Sequence, residues 1–255
     1  MNRVMVIIGV FIAVLLVSPA CQAGYEIRCV FKDFVSSRPS QYSAPMRLDG
    51  GKINVNTSQF SGEPTELLYA VGSKSIRLVN RASGEYSELN EETLGRAADM
   101  VQSTLDYVMG TASDESQGAP SGNPRAPAIA EVKGAWTVNG MTCRRYKAAF
   151  GGQLTQDIWV ADWAAAGMKS ADFKVVNLLA GSYDRIMKSS NMIPSLDFMV
   201  YIPVSGLNRM NGFPVLIKQY RKGALQYEIL LSRPVFKKMP ASLFQVPEGF
   251  RKVWF

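Results

Sequence analysis

The side chains able to do chemistry in this sequence are a few acids and thiols, because its 255 residues include no histidine. Histidine is the usual general base, the usual zinc ligand and the partner of most Ser and Cys nucleophiles. Most hydrolase mechanisms are therefore unavailable in their common form. Paired carboxylates could still run glycoside hydrolysis, and Glu88, Glu91, Glu92, Asp157 and Asp162 are the acids placed for it. Glu91 and Glu92 are better accounted for by the positive end of a helix that starts beside them, and Asp162 by the turn after a strand. There is no G-x-S-x-G elbow, no Ser three positions before a Lys and no phosphate-cradling glycine loop. Nor is there a Cys cluster or a D-x-[DN]-x-[DN]-G loop for a metal. The chain reads as a non-enzyme without a cofactor.

The three cysteines are Cys21, Cys29 and Cys143. Residues 1–23 have the layout of a secretory signal: Arg3, then an uncharged run from Val4 to Val17, then the small-residue stretch Ser18-Pro19-Ala20-Cys21-Gln22-Ala23. The run is short for a bilayer span. Cleavage after Ala20 or Ala23 places the protein in the periplasm. A lipoprotein anchored at Cys21 is the alternative, although Ser18 stands where a lipobox carries Leu. If Cys21 leaves with the signal, Cys29 and Cys143 form an even pair in an oxidising compartment, and a disulfide between them is expected. Two buried free thiols are the alternative, and no C-x-x-C spacing points to a redox pair.

The formal charge is +7, one less without Arg3. That excess suits an anionic membrane surface, while secretion sets nucleic acid aside. The basic pairs Arg144-Arg145, Arg221-Lys222 and Lys237-Lys238 are scattered along the chain. An evenly solvated surface is the plainer account of them.

The elements that must position these groups follow from the apolar period. Tyr25, Ile27, Cys29 and Phe31 alternate with Glu26, Arg28 and Lys32, a strand with one buried face. Asp49-Gly50-Gly51, Gly72-Ser73-Lys74 and Arg81-Ala82-Ser83-Gly84 separate further short strands, so the first 90 residues form an antiparallel meander. The period then becomes helical: Leu94, Ala97, Ala98, Val101, Leu105, Val108 and Met109 make one stripe, with Asn90 as N-cap and Gly110 as stop. Residues 111–128 are rich in Pro, Gly and Ser and read as a flexible loop. Hairpin chemistry resumes at Trp136–Val138, Asn139-Gly140 and Met141–Phe150, then Leu154–Trp163. Trp136, Trp159, Trp163, Tyr146 and Tyr220 in this part read as cross-strand packing or as the lining of an entrance. A second helix is expected over 172–188, with Val175, Leu178, Leu179, Tyr183, Ile186 and Met187 on one side. A strand at 196–203, a hairpin around Arg221-Lys222-Gly223 and a Pro-bracketed strand near 243–246 complete the order.

This order resembles the outer-membrane lipoprotein carrier superfamily, the LolA/LolB-like fold, in an uncharacterised bacterial envelope branch. The resemblance is carried by Gly140-Met141-Thr142-Cys143-Arg144-Arg145-Tyr146 with Asp157-Ile158-Trp159-Val160, by Gly212-Phe213-Pro214-Val215, and by Ser242-Leu243-Phe244-Gln245-Val246-Pro247-Glu248-Gly249-Phe250. It implies an α+β fold in one domain over 24–255. The sheet would be strongly curved and antiparallel, a half-open β-barrel with helices packed in its mouth. It also implies an apolar cavity for a lipid, an acyl chain or an acylated protein. The helix stripes then supply the lining: Leu94, Val101, Leu105, Val108, Met109, Leu179, Ile186 and Met187. A structural protein that docks a partner through its sheet edge or the 111–128 loop is the alternative.

Overall fold

The computed structural model describes residues 21–35, 40–57, 65–90, 92–93, 128–150, 152–189 and 210–254; the side chains of 21, 22, 150, 180 and 183–189 are outside that set. The expected helix over 94–109, the loop at 111–127 and the strand at 196–203 fall outside it.

The alternating segments pair as the sequence predicts. They are β1 (Cys21–Asp33), β2 (Ser40–Asp49), β3 (Lys52–Asn56), β4 (Thr65–Ala70), β5 (Ile76–Asn80), β6 (Glu85–Leu89), β7 (Ala128–Val138), β8 (Met141–Phe150), β9 (Gln153–Ala161), β10 (Phe213–Arg221), β11 (Ala224–Leu231), β12 (Val235–Pro240) and β13 (Arg251–Lys252). Three hairpins turn on two consecutive residues with positive φ, at Gly50-Gly51, Asn139-Gly140 and Lys222-Gly223. That backbone matches the twist of the flanking strands. The strands join in one sheet in the order β13-β6-β5-β4-β3-β2-β1-β11-β10-β9-β8-β7, with β12 also on β1. Neighbours are antiparallel except β13 on β6. The ladder ends at β13 and β7 without joining them, so the sheet is open.

Register divides the residues between two faces. Tyr25, Ile27, Cys29 and Phe31 lie opposite Leu48, Met46, Ala44 and Tyr42 of β2, and the last two of the four oppose Leu231 and Ile229 of β11. Helix α2 (Ser170–Ser189), which follows the single turn α1 (Trp163–Ala166), covers this face at β2, β3 and β4. Its buried side chains are Phe173, Val175, Val176 and Leu179, so Phe173 and Val176 join the stripe read from the sequence.

The opposite face is crossed by the C-terminal segment. After β12 the chain makes a 3₁₀ turn over Ala241–Phe244, where the sequence suggested a strand. Pro240 has no N–H to give a ladder, and the Leu243 carbonyl instead accepts a hydrogen bond of 2.8 Å from Asn54 Nδ2 on β3. Asn54 is 0% exposed and also bonds Glu66 and Arg47. This strap ends on β6, where Arg251 N–H donates to the Gly84 carbonyl and Val253 N–H to that of Tyr86. Both ends are held by ion pairs: Lys237 with Glu26 and Lys252 with Glu88, each at 2.6 Å, and Arg251 with Glu85.

Two further expectations need correcting. Ala128 already belongs to β7 rather than to the loop. Cys29 and Cys143 are free thiols, not a disulfide. Pairing carries Cys143 to Ala161, Arg145 to Trp159, Trp159 to Leu216, Leu216 to Leu230 and Leu230 to Val30. Cys143 therefore shares the strap face with Val30, while Cys29, next to Val30, faces the helix. They also stand four strands apart, about 19 Å along the sheet at about 4.8 Å per strand, whereas bonded cysteines have Cα atoms about 4.4–6.8 Å apart. β1 includes Cys21, Gln22 and Ala23, which pair with Pro240, Met239 and Lys238; cleavage after Ala20 would leave this part of the ladder whole. Among the described residues no helix is long and apolar enough to cross a membrane.

Denatured without reductant, the protein is expected to titrate Cys29 and Cys143 with a thiol reagent; no reaction at either would overturn the register argument. In the folded state Cys29 should resist the reagent near pH 8, since burial pushes its thiol up to about 12. Acid should free the strap first. Lys237 holds the Glu26 carboxyl below its ordinary 4.5 against opposing burial, with help from Arg47, and Lys252 does the same for Glu88 with help from Arg77. The stability these pairs give is present above that value and lost as pH falls through the lower folded values. Hydrogen exchange in 235–254 is therefore expected to rise in this window ahead of the sheet, and the K237M/K252M variant should lose most of that pH dependence.

Candidate functional site

On the helix face, α2 and the β4–β5 turn enclose a cleft of about 660 Å³. Its walls come from three places. Tyr69 and Val71 stand at the end of β4, and Gly72-Ser73-Lys74 form the turn. Asn177, Leu178, Gly181 and Ser182 occupy successive turns of α2, and Asn90 and Glu92 close the third side. Local chemistry fixes each wall. Asn90 Oδ1 accepts the Thr93 N–H at 2.8 Å while Thr93 Oγ1 accepts the Asn90 N–H at 2.9 Å, the reciprocal cap expected at a helix start. Tyr69 Oη and Ser182 Oγ are hydrogen-bonded at 3.0 Å, joining the sheet to the helix. Ser73 Oγ bonds the carbonyl of Ser75 and closes the turn.

Two features suit this cleft to a guest. A methyl group built on Gly181 meets nothing within 4 Å, so the glycine leaves space that a larger residue would fill. Asn177 Oδ1 is buried and has no hydrogen-bond partner among the described residues; a ligand donor would satisfy it. Asn177 also borders a second cleft, of about 310 Å³, between the start of α2 and the Met210–Pro214 segment. Trp163, Phe173 and Phe213 meet there ring to ring, and the Trp163 indole N–H donates to Asn211 Oδ1 at 3.0 Å.

Of the lining residues taken from the helix stripes, Leu179 is placed on α2 and buried. Ile186 and Met187 lie on α2 with side chains outside the described set, and Leu94, Val101, Leu105, Val108 and Met109 lie outside the described residues. The structure adds Leu178, Asn177, Gly181 and the 71–74 turn. Sequence reading took that turn as a connection only. The polar Asn177 and the small Gly181 carry no sequence signal of a cleft.

Three of the five acids considered for catalysis are held in ion pairs. Asp157, 1% exposed, receives both Arg145 Nε, at 2.8 Å, and Arg145 Nη2. Glu88 lies between Arg77 and Lys252, and the exposed Asp162 meets Arg144 at 3.2 Å. Glu92 is exposed at the cleft rim, and Glu91 is outside the described residues. Arg145 also stacks on Trp159 and Trp136, 4.9 and 5.8 Å from their ring centres, so these aromatics pack on a cation across the strands. On the same face Glu228 is shared by Lys32 at 2.7 Å and Lys218 at 3.3 Å. Burial alone would raise its carboxyl, but the two ammonium groups outweigh that and hold it low.

No family model matches the chain, and no curated protein matches it. Solved structures do. An uncharacterized conserved protein from Thermus thermophilus is similar at a TM-score of 0.43 and 7% identity, over 89% of this chain and 89% of that one. MucB, solved in complex with MucA(peri), is similar at 0.36 and 13% identity over 89% of this chain, which spans 54% of that one. A LolA superfamily protein from Nitrosomonas europaea is similar at 0.30 and 8% identity, over 88% and 90%.

Proposed function

We propose that the protein is a non-enzymatic binding protein of the bacterial periplasm. It holds the acyl chain of a lipid or of an acylated protein between the helix face of its sheet and its helices. The observation that carries this reading is the cleft beside α2, with an apolar body of Tyr69, Val71 and Leu178, open space at Gly181 and a lone acceptor at Asn177. Its volume falls within the range of about 300–1,000 Å³ usual for small-molecule sites. An acyl chain needs little more than apolar contact, at about 0.8 kcal/mol per buried methylene. Ten methylenes give about 8 kcal/mol, the scale of a micromolar Kd before ordering is counted. Leu94, Val101, Leu105, Val108, Met109, Leu179, Ile186 and Met187 extend the lining in this proposal. The guest's polar end would sit between Asn177 and the rim residues Lys74 and Glu92.

A second reading, docking of a protein partner, draws on β7. This strand ends the sheet order, most of its residues are exposed, and it directly follows the 111–127 segment.

One experiment separates the two. Protein isolated without detergent from its own envelope is expected to show an added mass in native mass spectrometry, released as a lipid by organic extraction. The G181L variant should carry about tenfold less of it, equivalent to about 1.4 kcal/mol, with its thermal melt unchanged. A bare parent mass would overturn the carrier reading and favour docking at β7.

A further inference from the structure

We propose that β12 is a membrane-contact edge that takes the headgroup region of an anionic bilayer, independently of what the cleft holds. The most exposed apolar pair on a described strand is here: Val235 is 59% and Phe236 63% exposed. Arg233 and Lys238, both exposed, bracket them in sequence, and Lys237 lies between. Lys237 is engaged by Glu26, so Arg233 and Lys238 supply the charge.

Geometry favours a bilayer over a protein groove. Phe236 pairs with Tyr25 and stacks edge-on to it at 5.3 Å, on the helix face, whereas Val235 pairs with Glu26 on the strap face. Adjacent apolar side chains thus leave the same strand in opposite directions. A protein groove reads one face of a strand; a lipid interface surrounds both. Aromatic side chains settle at the headgroup level, and cations beside them meet the anionic surface. β12 runs beside the first residues of β1, with Pro240 opposite Cys21. Patches of exposed apolar side chains on a soluble surface mark interaction sites more often than single ones do.

The test is sedimentation of protein, purified without detergent from cells expressing the full sequence, with phosphatidylcholine vesicles that contain phosphatidylglycerol or lack it. Binding to the anionic vesicles is expected, weakening with salt. V235S/F236S should bind about tenfold more weakly, and R233E/K238E should lose the preference for phosphatidylglycerol. F34S/V35S, the exposed apolar pair at the other end of β1, should bind as the parent does. Circular dichroism separates a folding loss from a lost contact, since all six positions are exposed. The proposal is overturned if the parent does not sediment, if V235S/F236S binds like the parent, or if F34S/V35S loses as much.

Discussion

Strand β1 is the member on which the rest of the sheet depends. Along one edge it pairs with β2 from Tyr25 to Asp33. Along the other it takes β12 from Cys21 to Glu26 and β11 from Cys29 to Asp33. Both of its edges are therefore consumed, and it joins the meander β2–β6 to the meander β7–β11. Its alternation fixes which face every neighbour presents, because register carries parity from strand to strand. Ile27 and Phe31 commit one face to the core under α2, while Glu26, Arg28 and Lys32 commit the other to charge.

That parity explains which parts of the molecule were legible from sequence. Gly50-Gly51, Asn139-Gly140 and Lys222-Gly223 announce their hairpins because a two-residue turn is a local event whose backbone needs positive φ. Helix α2 was legible for the same reason, within two residues at its start and one at its end, since the stripe of Val175, Leu178 and Leu179 repeats locally. The meeting of β1 with β11 is a contact across some two hundred residues, as in the Arg28 N–H bond to Ser232 Oγ, and no local pattern encodes it. The disulfide expectation failed there, because counting cysteines says nothing about the faces they occupy. The 3₁₀ turn at Ala241–Phe244 was missed because its hydrogen-bond partner, Asn54, is supplied by a distant strand. Of the cleft, Leu178 was readable only as part of the helix stripe, while Asn177 and the 71–74 turn gain meaning only once α2 is laid over β4.

On the strap face, charge replaces apolar burial with a regular scheme. Lys32, Glu228, Lys218, Asp157 and Arg145 follow one another across β1, β11, β10, β9 and β8, alternating in sign from end to end. Exposed pairs of this kind contribute little each. The Arg145–Asp157 pair is different, since its carboxylate is buried and a buried acid without its cation is strongly unfavourable. The row's value lies in specifying register: a slip by one residue would set Lys32 among the apolar residues of the helix face and break the pairs at once. The strap applies a similar device at Asn54, whose three partners sit on three different segments.

The topology of β1 also sets an order of events during synthesis. Its second edge is completed by residues 224–240, and β6 gains its parallel neighbour only at Arg251 and Lys252. A ribosome must therefore pass residue 240 before the central strand has both of its partners. Contacts this far apart in sequence form slowly, so the local hairpins of β2–β6 can pair well before the sheet closes around its central strand.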